Sequence, residues 1–418
     1  MKSLYKNISL IKFEIIYIAY WLRFSGDETY IRNSLENIAK VTGGKRMPKG
    51  SSLINKPNNH PYITVSNMNN DFEDLSTYQY VPIEIYPQIK NYIVDHNDLI
   101  ISVAGTLGLV KKVPRCLDKA NLTENANRIS EIKIDEDYLQ YYLNTSIIQN
   151  RILAVQTNNA QPKLALKEIR NFKITYPSIE EQKKVSRFLS VIDKKINLLE
   201  NKKEQYKDFK KYLMQQIFAQ KLRFDFKNEW RQCKLKDLLT VKSSNISINQ
   251  LEDNTGEYPL YGASGFLKNI DFCEMETDYI SIVKDGSGVG NLSFHEKKSS
   301  IVNTSQYLLP KKDFDIHFLY YQLQTLNLLK YVNGSSIPHI YFKDYCIEKV
   351  TVPSLPEQQK IGKLFVDTDK TLENIDNNIR VTQEFKKGLL QQMFVYILKH
   401  TILNFCAKIC CIKYFLKS

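Results

Sequence analysis

The chain has 418 residues, 43% hydrophobic and 25% charged, which excludes a disordered protein and exceeds what one ordinary core accommodates. Its 58 basic residues outnumber 45 acidic ones, a formal net charge of +13 that favours a polyanionic partner, nucleic acid before an anionic membrane. The seven cysteines and six histidines are scattered without disulfide or metal-ligand spacing, so no metal centre is expected and a reducing cytoplasm is the natural compartment.

Residues 1–21 form an atypical lead-in, apolar and aromatic but interrupted by Lys12 and Glu14. The run Ile15–Leu22 is too short to span a bilayer and no small-residue cleavage site follows, so neither a membrane span nor a signal peptide is expected.

A first head is expected over residues 22–176. The stretches HPYITVSNMN and NDLIISVAGTLGLVKKV alternate or run apolar between Gly and Asn, as strands do, and DEDYLQYYLNTSIIQNRI reads as helix. Its candidate contacts are Lys45, Arg46 and Lys49 beside Gly43-Gly44, then Lys111, Lys112 and Arg115 after Gly108, then Asn127 and Arg128, then Asn158 and Lys163. Lys and Arg neutralise phosphates, whereas Asn, Gln and Arg match the donor and acceptor pattern of base edges.

Residues 177–220 read as a first long spacer helix. Ser178 to Glu181 fits S-x-x-E, in which the serine caps the helix and the glutamate reaches back to the cap. Val185, Leu189, Ile192, Ile196 and Leu199 then follow four-three spacing, a coiled-coil seam that Lys203 and Lys210 interrupt further on.

A second head is expected over residues 221–352. The stretches YPLYGASGF, TDYISIVKDGSGVGNLSF and SIVNTSQYLLP read as strands and turns, and DIHFLYYQLQTLNLLKYV as helix. Here the candidate contacts are Tyr261, Ser264, Lys268, Lys284, Lys297, Lys298, Gln306, Ser335 and His339. The glycines of Asp285–Gly290 do not cradle a cofactor, because the strand-like NLSFHEKK follows where a nucleotide loop opens a helix, so a hairpin turn is expected.

Residues 353–394 repeat the spacer. Ser354 to Glu357 again fits S-x-x-E, and Ile361, Phe365, Leu372, Ile375 and Ile379 form the seam, interrupted by Thr368, Thr382 and Lys386. About 40 helical residues make a rod of roughly 60 Å. Residues 395–418 are an atypical apolar tail with no counterpart after the first spacer.

The two spacers align without a gap, Pro177 with Pro353 and Phe218 with Phe394, a constant shift of 176. Leu22-Arg23-Phe24, Tyr30 and Leu35 recur as Leu222-Arg223-Phe224, Trp230 and Leu235, a shift of 200. A repeat of this length means a duplicated architecture with a pseudo-twofold relation. The fold class is therefore α+β: two heads with mixed, mostly antiparallel sheets, separated by two long helices expected to pair as an antiparallel coiled coil, the alternatives being that each packs on its own head or joins two copies of the chain. No catalytic motif is present. Glu131-Ile132-Lys133 with Asp118 is a chance echo of a metal nuclease, without a matching acidic pair in the second head.

Two heads, each followed by a helix opening P-S-[IL]-x-E-Q and closing FKK-x-L-x-Q-Q-x-F, resemble the specificity subunit of a Type I restriction–modification system. YPLYGASG, HPYITVSN and the lead-in LRF before each head strengthen the resemblance, which covers about residues 22–394. It implies two target-recognition domains, each binding one half of a split double-stranded DNA sequence, with the helices setting the gap. It further implies docking of two adenine-methyltransferase subunits and, through them, DNA-translocating restriction subunits. S-adenosylmethionine, ATP and magnesium would belong to those partners, leaving no cofactor and no catalytic residue in this chain. The unlike loops of the heads imply two different half-sites. The competing readings are a coiled-coil adaptor whose heads bind protein, an enzyme with its own site, and an inactive or orphan specificity gene product.

Overall fold

The computed structural model describes residues 30–69, 72, 74–157, 163–251, 254–334 and 337–394. These form two compact units, one of residues 30–197 with 380–394, the other of residues 198–379. The lead-in, Leu22-Arg23-Phe24 and the tail 395–418 lie outside the described residues.

In the first unit, strand β1 (Ile31–Ser34) pairs antiparallel with β9 (Lys173–Tyr176), Ile31 facing Tyr176, and so ties the head's beginning to its end. A short helix α1 (Leu35–Ile38) leads into an antiparallel four-stranded sheet ordered β2 (Lys40–Gly43), β8 (Ala126–Ser130), β5 (Leu99–Ser102), β6 (Val110–Lys112). A smaller sheet is ordered β4 (Gln79–Tyr80), β3 (Pro61–Ile63), β7 (Asn121–Leu122), with β3 and β7 parallel.

The stretch HPYITVSNMN splits in the structure. Its strand stops at Ile63, and Val65–Asn69 is helix α2. Asn67 Oδ1 accepts from Thr64 N at 2.9 Å and from Thr64 Oγ1 at 2.6 Å, a local alternative to the sheet ladder. A further short helix, α3 (Tyr86–Ile89), precedes β5. The helical reading of residues 135–152 holds, as α4 (Glu136–Leu143) and α5 (Ser146–Thr157), followed by α6 (Leu166–Arg170).

The second unit repeats this topology strand for strand. Strands β10 (Arg231–Lys234) and β18 (Lys349–Val352) close the head. The larger sheet is ordered β11 (Leu239–Ser243), β17 (Ser305–Pro310), β14 (Tyr279–Val283), β15 (Leu292–His295). The smaller is ordered β13 (Gly265–Ile270), β12 (Tyr258–Gly262), β16 (Ser300–Ile301), again with one parallel pair, β12 with β16. Helix α8 (Leu235–Leu238) stands where α1 does, α9 (Ile316–Gln324) where α4 does, and α10 (Phe342–Tyr345) where α6 does. The helical reading past Gln324 is corrected to a 3-10 turn at Leu328–Tyr331. Thr325 caps the end of α9, its Oγ1 donating to Gln322 O at 2.7 Å.

The spacers are uninterrupted 40-residue helices, α7 (Ile179–Phe218) and α11 (Leu355–Phe394). In the first unit Val185, Leu189, Ile192 and Ile196 of α7 share one core with Leu389, Met393 and Phe394 of α11 and with Tyr138, Leu139 and Tyr142 of the head. In the second unit Leu213 and Ile217 of α7 share a core with Ile361 and Phe365 of α11 and with Phe318 and Leu319. Ile375 and Ile379 are buried there, and Leu199 and Leu372 half-buried.

The seam-breaking lysines have partners across the helix pair. In the second unit Lys203 meets Asp376 and Lys210 meets Asp369, each at 2.5 Å; seven residues forward on α7 match seven back on α11, so the helices run antiparallel. In the first unit Lys386 meets Asp193 at 2.5 Å. Thr368 and Thr382 are buried, and Thr368 Oγ1 returns to Leu364 O at 2.8 Å. Among the described residues no helix is long and apolar enough to cross a membrane.

Candidate nucleic-acid interface

Each head has one sheet end where loops converge. In the first head β2 leaves the sheet at Gly43, β5 leaves at Ser102 and β8 enters at Ala126. Leu164 N donates to Val103 O at 3.0 Å, which brings Lys163 to the same end. Lys45 N donates to Leu122 O at 2.8 Å, and a Cβ on Gly44 would stand 2.0 Å from Thr123 O, so the loop closes only with glycine there. Lys45, Arg46 and Lys163 are all exposed here, Lys45 with its Nζ 5.5 Å from the Tyr92 ring centre and Arg46 Nε 2.6 Å from Glu124 Oε1. Lys49 is exposed in the loop that follows, and Asn158 lies outside the described residues.

The other first-head candidates are not gathered with these. Asn127 is buried in β8 opposite Gly43. Arg128 is turned inward, with Nε 2.6 Å from Asp98 Oδ2, Nη1 donating to Ile93 O and Nη2 to Asp95. Lys119, and then Arg128, hold the Asp95 carboxyl below its ordinary value, whereas burial outweighs Arg128 at Asp98 and pushes that carboxyl up. Lys112 pairs with Asp137 at the opposite end of β6, next to exposed Arg115, and Lys111 is half-buried on the same strand.

In the second head the corresponding end collects Ser264, Lys284, Gln306 and His339. Lys284 N donates to Thr304 O and Ile340 N to Lys284 O, both at 2.8 Å, and Gly286 N donates to Pro338 O at 2.9 Å. The Asp285–Gly290 segment is the hairpin turn expected, with Gly290 N donating back to Val283 O at 2.8 Å. Ser264 is exposed at the tip of the β12–β13 hairpin. Gln306 Nε2 donates to Ser243 Oγ at 3.2 Å, Lys284 Nζ lies 3.7 Å from Asp285, and the His339 ring is 5.1 Å from that of Tyr341.

Lys268 is spent on Leu251 O, and exposed Lys297 and Lys298 stand at the far end, beside Asp278 and Met275. Ser335 lies outside the described residues. Tyr261 is half-buried, its ring 4.4 Å from that of His295. His295 is buried between Tyr261 and Tyr279 and shares a 2.8 Å hydrogen bond with Ser281 Oγ; burial lowers its pKa to about 4. Sequence reading passed over Phe266, 60% exposed and edge-on to Tyr261 at 6.2 Å; an aromatic placed directly after a tight hairpin turn was the available signal.

The heads are held to the spacers by one set of contacts made twice. Gln182 Oε1 accepts from Asp135 N and Gln358 Oε1 from Asp315 N, each at 2.9 Å; these aspartates cap α4 and α9. The glutamates of the S-x-x-E signals reach into the heads. Glu181 Oε1 accepts from Tyr30 OH at 2.8 Å, and buried Glu357 takes Arg223 on both oxygens and the Trp230 indole N–H. Tyr141 OH donates to Asp193 Oδ2 and Tyr321 OH to Asp369 Oδ2, each at 2.7 Å. Burial first, then that carboxylate, pushes each phenol far above its ordinary value, so both remain donors.

The family model for the Type I restriction modification DNA specificity domain matches the chain twice, at residues 29–207 and 227–383. The Type I restriction enzyme MjaIX specificity subunit of Methanocaldococcus jannaschii is 23% identical over 368 residues, spanning 77% of this chain and 84% of that protein. The EcoBI specificity subunit of Escherichia coli is 26% identical over 188 residues, 44% of this chain and 39% of that one. Among solved structures, the S subunit of a Type-I restriction-modification system from M. genitalium superposes with a TM-score of 0.61 at 18% identity, over 90% of this chain and 99% of that chain. With the domain present twice on a duplicated fold, the chain belongs to the family of Type I restriction–modification DNA specificity subunits, a non-catalytic family.

Proposed function

We propose that each head reads one half of a split, asymmetric double-stranded DNA target. The paired helices set the unspecified gap between the halves and dock two methyltransferase subunits, which in turn carry the restriction and translocation subunits. S-adenosylmethionine, ATP and magnesium act on those partners, in the cytoplasm, and this chain supplies recognition alone. Phosphate contacts in this reading come from the cations at the converging loop ends, Lys45, Arg46, Lys49 and Lys163 in the first head and Lys284 in the second, which position the heads. Gln306, His339 and Ser264 are the base-edge candidates of the second head.

The observation that carries the reading is that one topology occurs twice with unlike loop ends: Lys45, Arg46 and Lys163 in one head, Ser264, Lys284, Gln306 and His339 in the other. Equal scaffolds with unequal tips suit two different half-sites on one duplex. The test is selection from a random duplex library by the chain assembled with its methyltransferase partner. Two specified blocks at a constant separation are expected; one contiguous block, or no sequence preference, would overturn the proposal.

A further inference from the structure

Asp193 and Asp369 each join three elements through two oxygens. Asp193 lies on α7, the spacer that follows the first head. Its Oδ1 meets Lys386 of α11 at 2.5 Å, and its Oδ2 accepts from Tyr141 of α4 at 2.7 Å. Asp369 lies on α11, the spacer that follows the second head. Its Oδ1 meets Lys210 of α7 at 2.5 Å, and its Oδ2 accepts from Tyr321 of α9 at 2.7 Å. Each triangle is closed by the lysine over the tyrosine ring, 5.5 Å from its centre at Tyr141 and 5.0 Å at Tyr321. The tyrosines are 9% and 2% exposed, so water reaches the hydroxyl donors little, whereas the aspartate side chains are 34% and 38% exposed.

One oxygen thus fastens the two spacers to each other and the second fastens the head to them. The bonds of Gln182 and Glu181, and of Gln358 and Glu357, hold each head at the start of its spacer, and apolar contact beyond that point is non-directional and leaves the head free to rock about it. A charged hydrogen bond between fixed atoms is directional. The magnitude matters here. A head about 25 Å across that rocks by roughly 8° moves its far edge about 3.4 Å, one base-pair rise. Small freedom at the head–spacer joint is therefore a whole base pair of uncertainty in the gap.

We infer that the Tyr141–Asp193–Lys386 and Tyr321–Asp369–Lys210 triangles are latches that fix the angle of each head on its spacers, and through it the single gap length the protein accepts. The inference rests on the split-target reading above. Tyr141 and Tyr321 are positioning residues: they touch no DNA but decide where the reading loops stand.

The test is the double substitution Tyr141→Phe with Tyr321→Phe, which keeps both buried rings and removes only the hydroxyl donors. Wild type and variant are each assembled with the methyltransferase partner and used to methylate a random duplex library, which is then sequenced for modified adenines. Wild type is expected to modify one gap length. The variant is expected to keep the same bases in both blocks while modification at gaps one base pair shorter or longer rises at least tenfold. An unchanged gap spectrum overturns the latch, and so does loss of base preference within the blocks, which marks the hydroxyls as merely structural. Failure of wild type itself to show two blocks sinks the split-target reading, a distinguishable result, and the latch with it.

Discussion

Gln182 and Gln358, 176 positions apart, make the same pair of hydrogen bonds. Each side-chain oxygen accepts from the N–H of a helix-capping aspartate in its head, and each amide donates to the proline carbonyl that opens its spacer, at 2.8 Å to Pro177 and 3.0 Å to Pro353. Both side chains are buried. Replacing either by leucine strands a backbone N–H and a carbonyl without water. A loss of about 2 kcal/mol per site is expected, a fall in melting temperature of roughly 4–8 °C for units of this size. Thermal unfolding of each variant measures it, and an unshifted midpoint would remove these bonds from the account of how heads are held.

Charge placed in the seam separates the spacers. Ile196 is buried in the core that α7 shares with α11 and the first head, and Ile375 is buried on α11. Ile375→Lys or Ile196→Lys buries an ammonium with no carboxylate designed to meet it, a penalty of several kcal/mol. Each variant is expected to lose the methyltransferase partner on a sizing column. Normal co-elution would count against the seam as the docking element.

Binding to DNA should fall steeply with salt. Five exposed or half-buried cations are assigned to phosphates, and at a slope of about −0.9 per site their counterion release costs roughly five-hundredfold in affinity between about 50 and 200 mM salt. Fluorescence anisotropy with a random duplex measures the slope. A flat response would place the affinity somewhere other than in phosphate contacts.

His295 makes the second unit acid-sensitive. Burial lowers its folded pKa to about 4, below the ordinary 6.5, so between those values the unfolded chain binds the extra proton and the folded one does not. Stability is then full above pH 6.5 and falls as pH drops toward 4, by an order of about 3 kcal/mol. Unfolding midpoints at pH 7 and 5 should differ more for wild type than for His295→Gln, whose amide does not titrate. Equal pH dependence in the two proteins would show that His295 is not the responsible group.

Much of the architecture was legible because it depends on local or periodic signals. Four-three spacing marked both spacers, S-x-x-E marked their first turns, and the strand-like run after Gly290 identified the turn at Asp285–Gly290 as a hairpin. The contacts that failed to gather at one surface depend on long-range partners that spacing does not reveal. Lys112 meets Asp137, Arg128 meets Asp95 and Asp98, and Lys268 meets Leu251 O, so three cations of the charge excess serve the fold. The same applies to Glu357, read as half of a capping box, whose carboxylate instead holds Arg223 and Trp230, 134 and 127 positions away. The lysines that spoil the apolar seam looked like defects, and only the antiparallel register shows that Lys203, Lys210 and Lys386 each face an aspartate.

The claim that two unequal heads read one duplex is tested most directly by mapping methylated adenines in DNA from cells carrying this chain with its partner subunits. Two different blocks, non-palindromic as a pair and separated by a constant number of unspecified bases, are predicted. A palindromic motif would contradict the account, because it requires both heads to read the same half-site.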